Sequence, residues 1–212
     1  MLRSMRRFSL LLAAFIIFFS QISGAEVRLS GAGKQLSGHT FVGVRLCDLR
    51  LADTVIRDMV FEDVVAGGAH FRNIIFENCR FSRVDLSHST FENVVFRNCA
   101  LESGKNADDT LVLTTFEGSS MKDVLFEQSR LYRVRLAELQ GAGGKVSFKK
   151  MTDIVPEENY GLLLSGQELR ICVEDSQISG GKIKIHMAEK NKSFLIARNS
   201  IFSRFSVYCD AI

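Results

Sequence analysis

The residues able to do chemistry are few and evenly spread. Asp48, Asp53, Asp58 and Asp63 recur at intervals of five, and paired carboxylates are the usual equipment for general acid–base work or glycosidic cleavage. His39, His70, His88 and His186 could ligate a metal or carry a proton. None of them falls in a His-x-x-x-His spacing, and no Cys-x-x-Cys, Gly-x-Ser-x-Gly or phosphate-cradling glycine loop occurs. The simplest reading of each histidine is a solvated surface side chain. The five cysteines, Cys47, Cys79, Cys99, Cys172 and Cys209, could pair or remain thiols. No catalytic residue, metal or cofactor is expected from these patterns, so the question becomes what elements hold them apart.

Those elements follow a period of five. Counting from Leu36 in fives gives Phe41, Leu46, Leu51, Ile56, Phe61, Ala66, Phe71, Phe76, Phe81, Leu86, Phe91, Phe96 and Leu101. Asn106 interrupts, and the register resumes with Leu111, Phe116, Met121, Phe126, Leu131 and Leu136. All nine phenylalanines between residues 36 and 140 occupy this one position. A helix would spread them round its circumference, and a flat strand would send alternate ones to opposite faces. A chain that turns a corner every fifth residue points them all inward. Two residues before each centre stands a small or medium side chain, as at Val64, Ala69, Ile74, Cys79, Val94, Cys99 and Val124. Two residues after it stands Asp, Asn or Gly, as at Gly68, Asn73, Asn78, Asn93, Asn98 and Gly118; these residues tolerate positive φ or hydrogen-bond locally in tight turns. The four aspartates belong to this turn position. One pentad apart, they face four different sides and cannot share a metal or a sugar.

Runs such as Phe61-Glu62-Asp63-Val64-Val65, Phe76-Glu77-Asn78-Cys79-Arg80 and Phe91-Glu92-Asn93-Val94-Val95 resemble the pentapeptide-repeat family. The resemblance spans residues 36–140 and implies an all-β fold. That fold is a right-handed quadrilateral β-helix with four pentads, about 20 residues, to a coil. The sequence departs from the family pattern at Ala66 and Asn106. Residues 141–212 lack it, and the glycines of Gly141–Gly144 mark the boundary. Beyond them, alternating segments such as 168–173, 182–187, 194–196 and 205–208 read as strands. Asp175-Ser176-Gln177-Ile178 and Arg198-Asn199-Ser200-Ile201 read as related pieces of irregular coils. The organisation expected is an N-terminal cap over 26–35, a solenoid over 36–140, and an irregular β extension or cap over 141–212, since solenoid ends leave strand edges to cover.

A coil of this length makes residues 20 apart neighbours. One outward column then reads Arg57, Glu77, Arg97, Glu117, with signs alternating as cross-strand pairing favours. Asp63 lies under Arg83, and Asp53, Asn73, Asn93 and Asp58, Asn78, Asn98 form turn ladders. Inside, Phe71 stacks with Phe91, and Phe76 with Phe96 and Phe116. Residues 102–110 read as an acidic loop protruding without loss of register. Cys79 and Cys99 become stacked neighbours beside Met59 and Ser119. Two buried thiols are the favoured reading, and a disulfide the alternative in an oxidising compartment. Cys172 and Cys209 form a second candidate pair, with Cys47 left over. Val55, Ile75 and Val95 share an outward apolar column, with Val60 and Val65 on adjacent sides. An aligned apolar stripe of this kind is a docking face for the chain's own C-terminal segment or for a second subunit.

Residues 1–25 read as an address. Arg3, Arg6 and Arg7 precede an apolar stretch, Phe8 to Phe19, of 12 residues, followed by Ser23-Gly24-Ala25. This is the layout of a cleavable secretory signal ending at Ala25, and its apolar part is shorter than a bilayer-spanning helix needs. Removing it takes three of the 27 basic residues and none of the 24 acidic ones, leaving 24 of each. A neutral chain offers no general basis for nucleic-acid binding, and the mature protein is expected to be exported, periplasmic or secreted, and free of the membrane. The expected role is a non-enzymatic scaffold that binds a protein partner or itself. One alternative is a polysaccharide-active β-helix enzyme. Another comes from the family resemblance: some of its members look like duplex DNA and bind DNA gyrase. That mimicry needs a strongly acidic surface, whereas residues 36–140 carry 12 basic and 15 acidic side chains.

Overall fold

The computed structural model describes residues 26–27, 30–32, 35–46, 48–136, 139–140, 144–151, 153–155, 166–167, 170–187 and 194–211. The expected signal at 1–25 and Cys47 lie outside the described residues. The backbone winds as a parallel β-solenoid with four sides to each coil. Leu51 pairs with Phe71 on the first side, Ile56 with Phe76 on the second, Phe61 with Phe81 on the third, and Val65 bridges Asp85 on the fourth. The first two sides form one continuous strand in each coil: Arg50–Arg57, His70–Glu77, Thr90–Arg97 and Ser120–Glu127. The third side stacks Thr40–Val42, Val60–Glu62, Arg80–Ser82, Ala100–Glu102, Arg130–Tyr132 and Asp153–Val155 into one sheet.

Side-chain size and turn chemistry set this path. Each pentad sends two side chains inward: the bulky centre and the smaller residue two before it. Phe91, Phe96, Val94 and Leu101 are wholly buried, and Cys99 and Val84 nearly so. Each corner needs a left-handed residue, and the Asx positions supply it: φ is 49° at Asp53, 54° at Asn73 and 53° at Asn93. Their amides bond along the stack, Asn73 Nδ2 to Asp53 at 2.7 Å and Asn93 Nδ2 to Asn73 at 3.0 Å. The second turn ladder forms likewise, Asn78 to Asp58 at 3.1 Å and Asn98 to Asn78 at 2.8 Å. Within the core, Phe76 lies parallel on Phe96 at 5.0 Å and Phe71 on Phe91 at 5.0 Å. Such ring pairs add about 0.5–1.5 kcal/mol beyond area burial.

The inserted segment changes the stacking partners. Gly104–Lys105 and Leu111–Val112 pair antiparallel as a small hairpin, with Asn106 accepting from the Asp108 and Thr110 amides at its tip. Its neck closes where the Thr114 amide donates to Ser103 Oγ at 2.8 Å. Because the excursion is two pentads long, the inward phase survives, but the next coil is displaced. Phe96 stacks on Phe126 at 4.8 Å, and Phe116 meets Phe96 edge-on at 6.0 Å. The expected stack of Phe116 on Phe96 is therefore corrected. So is the column ending in Glu117, because Arg97 pairs with Glu127. Ser119 also leaves the cysteine column, where the Cys99 amide donates to Ser129 Oγ at 3.0 Å.

The coils continue past residue 140. Lys145–Lys149, Arg170–Glu174 and Phe194–Arg198 extend the sheet of the first two sides, and Phe148 prolongs the ring stack, 5.3 Å from Phe126. The related pieces near 175 and 199 stack one residue out from their sequence match: Asp175 bonds Asn199 at 2.8 Å, and Gln177 pairs with Ile201. At the other end, Ser30–Ala32 and Gln35–Ser37 pair onto Arg50–Arg57 as a leading coil.

Candidate functional site

The second side carries the most distinctive surface. Along it the strands place two outward columns side by side. In the first, Val55, Ile75, Val95 and Leu125 follow one another at successive rungs; the register runs on through Ser147, the buried Cys172 and Ile196. Val55 to Leu125 are half-buried in the sheet surface, while Ile196 is 40% exposed at the end of the stack. Leu125 was missed in the sequence because the hairpin places it 30 residues from Val95.

The second column reads Arg57, Glu77, Arg97, Glu127, Lys149, Glu174, Arg198, alternating in sign throughout. Arg57 Nε donates to Glu77 at 2.6 Å and Arg97 Nε to Glu127 at 3.0 Å, and Arg97 also lies 3.7 Å from Glu77. The Glu127 carboxylate raises the Arg97 pKa through its hydrogen bond, so Arg97 stays charged. Half-exposed pairs of this kind contribute about 0.2–1 kcal/mol each. Their larger effect is to fix register, since a slip of one coil would set like charges together.

Among the described residues the other sides lack an unbroken apolar column. Val60 is followed by Arg80, and Val65 lies between Arg45 and Asp85, so neither joins the stripe of Val55, Ile75 and Val95. The C-terminal ribbon, Gln177–Met187 paired with Ile201–Ala211, packs against Asp153–Val155 on the third side, and no strand among the described residues packs over the second side from Val55 to Leu125.

The remaining candidates are structural. Asp53, Asp58 and Asp63 occupy successive corners at φ 49°, 53° and 53°. Asp63 accepts two bonds from Arg83, at 2.7 and 2.9 Å, and this contact holds its carboxyl below the usual aspartate range. Arg83 also reaches Glu62 at 2.6 Å. Among the described residues no three His, Cys, Asp or Glu side chains gather as a metal cluster. His88 is an exposed corner residue at φ 53° stacked on Gly118. His39 is half-buried, and His70 lies exposed at the start of His70–Glu77. His186 lies within the strand Gln177–Met187.

Cys79 and Cys99 are buried and unbridged in the structure. Each thiol donates to backbone carbonyls, Cys79 Sγ to Ile56 O at 3.4 Å and Cys99 Sγ to Phe76 O at 3.4 Å. Ser129 makes the same contact to Phe96 O at 3.1 Å. The column thus uses small donors to satisfy corner carbonyls. The Cys79 thiol beside it, together with burial, pushes Cys99 up and keeps it protonated. Cys172 is also buried and unbridged, in the first-and-second-side sheet, whereas the strand that holds Cys209 belongs to the separate ribbon sheet.

A four-sided parallel solenoid with pentad corners is the architecture of pentapeptide-repeat β-helices. Residues 56–100 match the family described as pentapeptide repeats (9 copies), and the chain accordingly carries a pentapeptide-repeat segment. No curated protein matches the chain. Among solved structures it is similar to HetL, a pentapeptide-repeat protein involved in heterocyst differentiation regulation from the cyanobacterium Nostoc sp. strain PCC 7120, at 9% identity and TM-score 0.40 over 92% of each chain. It is also similar to a trypsin-treated form of QnrB1, a plasmid-mediated fluoroquinolone resistance protein. There the identity is 12% and the TM-score 0.33, over 89% of this chain and 91% of that one.

Proposed function

We propose that the protein is an exported, non-enzymatic scaffold that docks a protein on the second side of its β-helix. The apolar column from Val55 to Leu125 carries this reading. It is a straight hydrophobic strip on a stiff sheet, flanked by a charge column able to orient a partner. Aligned apolar surface favours association, whereas scattered exposed valines do not. The basic, apolar and small-residue succession of residues 1–25 supports export. The corner positions of the aspartates favour a scaffold over a glycosidase, which needs two converging carboxylates. Alternating signs along the second side deny that side the continuous negative field a DNA mimic requires.

The test expresses the full chain, measures the mass of the product for loss of 25 residues, and compares the parent with Ile75→Asp. The variant is expected to melt within a few degrees of the parent and to lose capture of the crosslinked partner or a change in oligomeric state. If stability, assembly and capture are all unchanged by Ile75→Asp, the second side is not a docking face.

A further inference from the structure

We infer that the occupant of the second side is a second copy of this chain, packed face to face with its coils running antiparallel; this inference rests on that side being a docking face. The argument comes from the charge column. A two-fold axis lying in the interface and perpendicular to the stack turns each column onto itself in reverse order, apolar against apolar and charged against charged. With seven rungs of alternating sign, full overlap would set like charges opposite each other. Displacement by one rung makes every opposed pair unlike: Arg57 meets Glu174, Glu77 meets Lys149, and Arg97 meets Glu127. In this register Val95 meets Leu125 across the axis, with Ile75 against Ser147 and Val55 over the buried Cys172 further out, so the apolar contact is concentrated at the centre and the charges lie beside it, as stable interfaces are built. The other displacement that engages six rungs would put Ser147 at the axis instead.

A second observation agrees. Lys149 stands between Glu127 and Glu174 in its column, yet forms no ion pair in its own chain among the described residues. The two-fold supplies it with Glu77 of the second copy. A parallel arrangement leaves the charges unused, because an axis along the stack that keeps the apolar column on itself sends the two charged columns to opposite edges, where Lys149 gains no carboxylate from the second copy.

Sedimentation of the mature chain over a concentration series is expected to show a monomer–dimer equilibrium, with Leu125→Asp weakening it at least tenfold at an unchanged melting temperature. A double variant, Arg57→Cys with Glu174→Cys, tests the register independently of that substitution. Within one chain these positions are five rungs apart, roughly 24 Å at ~4.8 Å per rung, but they oppose each other in the dimer. In a background with Cys47, Cys172 and Cys209 replaced by Ser, a short bis-maleimide is expected to join two chains in the double variant and to leave the background and both single variants unlinked. A parent that stays monomeric, a dimer that Leu125→Asp leaves intact, or a double variant that does not crosslink overturns the inference. A monomer whose partner capture is still abolished by Ile75→Asp overturns self-association alone and leaves the second side as a docking face for another protein.

Discussion

At the scale of single residues, corner chemistry decides what each position tolerates. Arg83 holds a left-handed corner, at φ 57°, that most coils give to Asn or Asp. A bulky residue there carries a backbone cost, and the ion pairs to Asp63 and Glu62, at 2.7 and 2.6 Å, offset it. Arg83→Met keeps the backbone strain and the stem packing while removing both pairs, and is expected to cost about 1 kcal/mol at neutral pH. The sign of the pH dependence follows from Asp63, whose folded pKa lies below its ordinary value of 3.8 because Arg83 bonds it. A depressed carboxylate contributes stability that is complete above the ordinary value and lost as pH falls through the folded one. Urea unfolding of parent and variant should therefore converge as pH falls below the ordinary aspartate value. A gap that stays constant with pH would assign the effect to packing.

At the scale of elements, the hairpin 104–113 is an appendage whose removal the solenoid should absorb. Ser103 and Thr114 occupy adjacent corner positions, corresponding to Arg83 and Val84 one coil earlier: Arg83 N bonds Glu102 O, and Val84 N bonds Thr114 Oγ1. Joining Ser103 directly to Thr114 restores consecutive pentads, so deletion of 104–113 is expected to shift stability by less than about 1 kcal/mol. Circular dichroism and thermal melting would show it, and an unfolded deletion product would mean the hairpin nucleates the coil. The same hairpin explains what was legible in the sequence. Inward phase depends only on the pentad, and Phe116 and Phe126 keep it on both sides of the insertion. Stacking partners depend on how many residues leave the coil, which periodicity does not encode. Phe116, Glu117 and Ser119 therefore take other neighbours than a 20-residue period predicts, and Leu125 and Ser129 continue columns that this period does not reach. Past residue 140 the coils lengthen, and the spacing from Phe126 to Phe148 breaks the count of five although the ring still stacks. The apolar stripe was legible as Val55, Ile75 and Val95 because those three precede the insertion.

At the scale of the whole molecule, the stack is nearly one-dimensional: each coil touches the one before and the one after, so stability sums over neighbouring interfaces. A central coil is packed on both faces and a terminal one on a single face. The exposures follow this rule. Phe96 is wholly buried between Phe76 and Phe126, whereas Leu195, on the last strand of the main sheet, is partly buried, with exposed Ile196 beside it. Truncation should therefore cost according to position along the axis. Phe96→Ala removes a ring stacked above and below and is expected to lose about 3–5 kcal/mol. Leu195→Ala lies where the coil can relax towards solvent, and should lose less than about 1 kcal/mol. Hydrogen exchange read strand by strand provides the matching measurement. Amides of Thr90–Arg97 should exchange only through global unfolding, and those of Phe194–Arg198 through fraying of the final coil. Equal protection in both strands, or equal cost of the two substitutions, would show that the solenoid melts as one cooperative block whose end is held by contacts beyond its nearest coil.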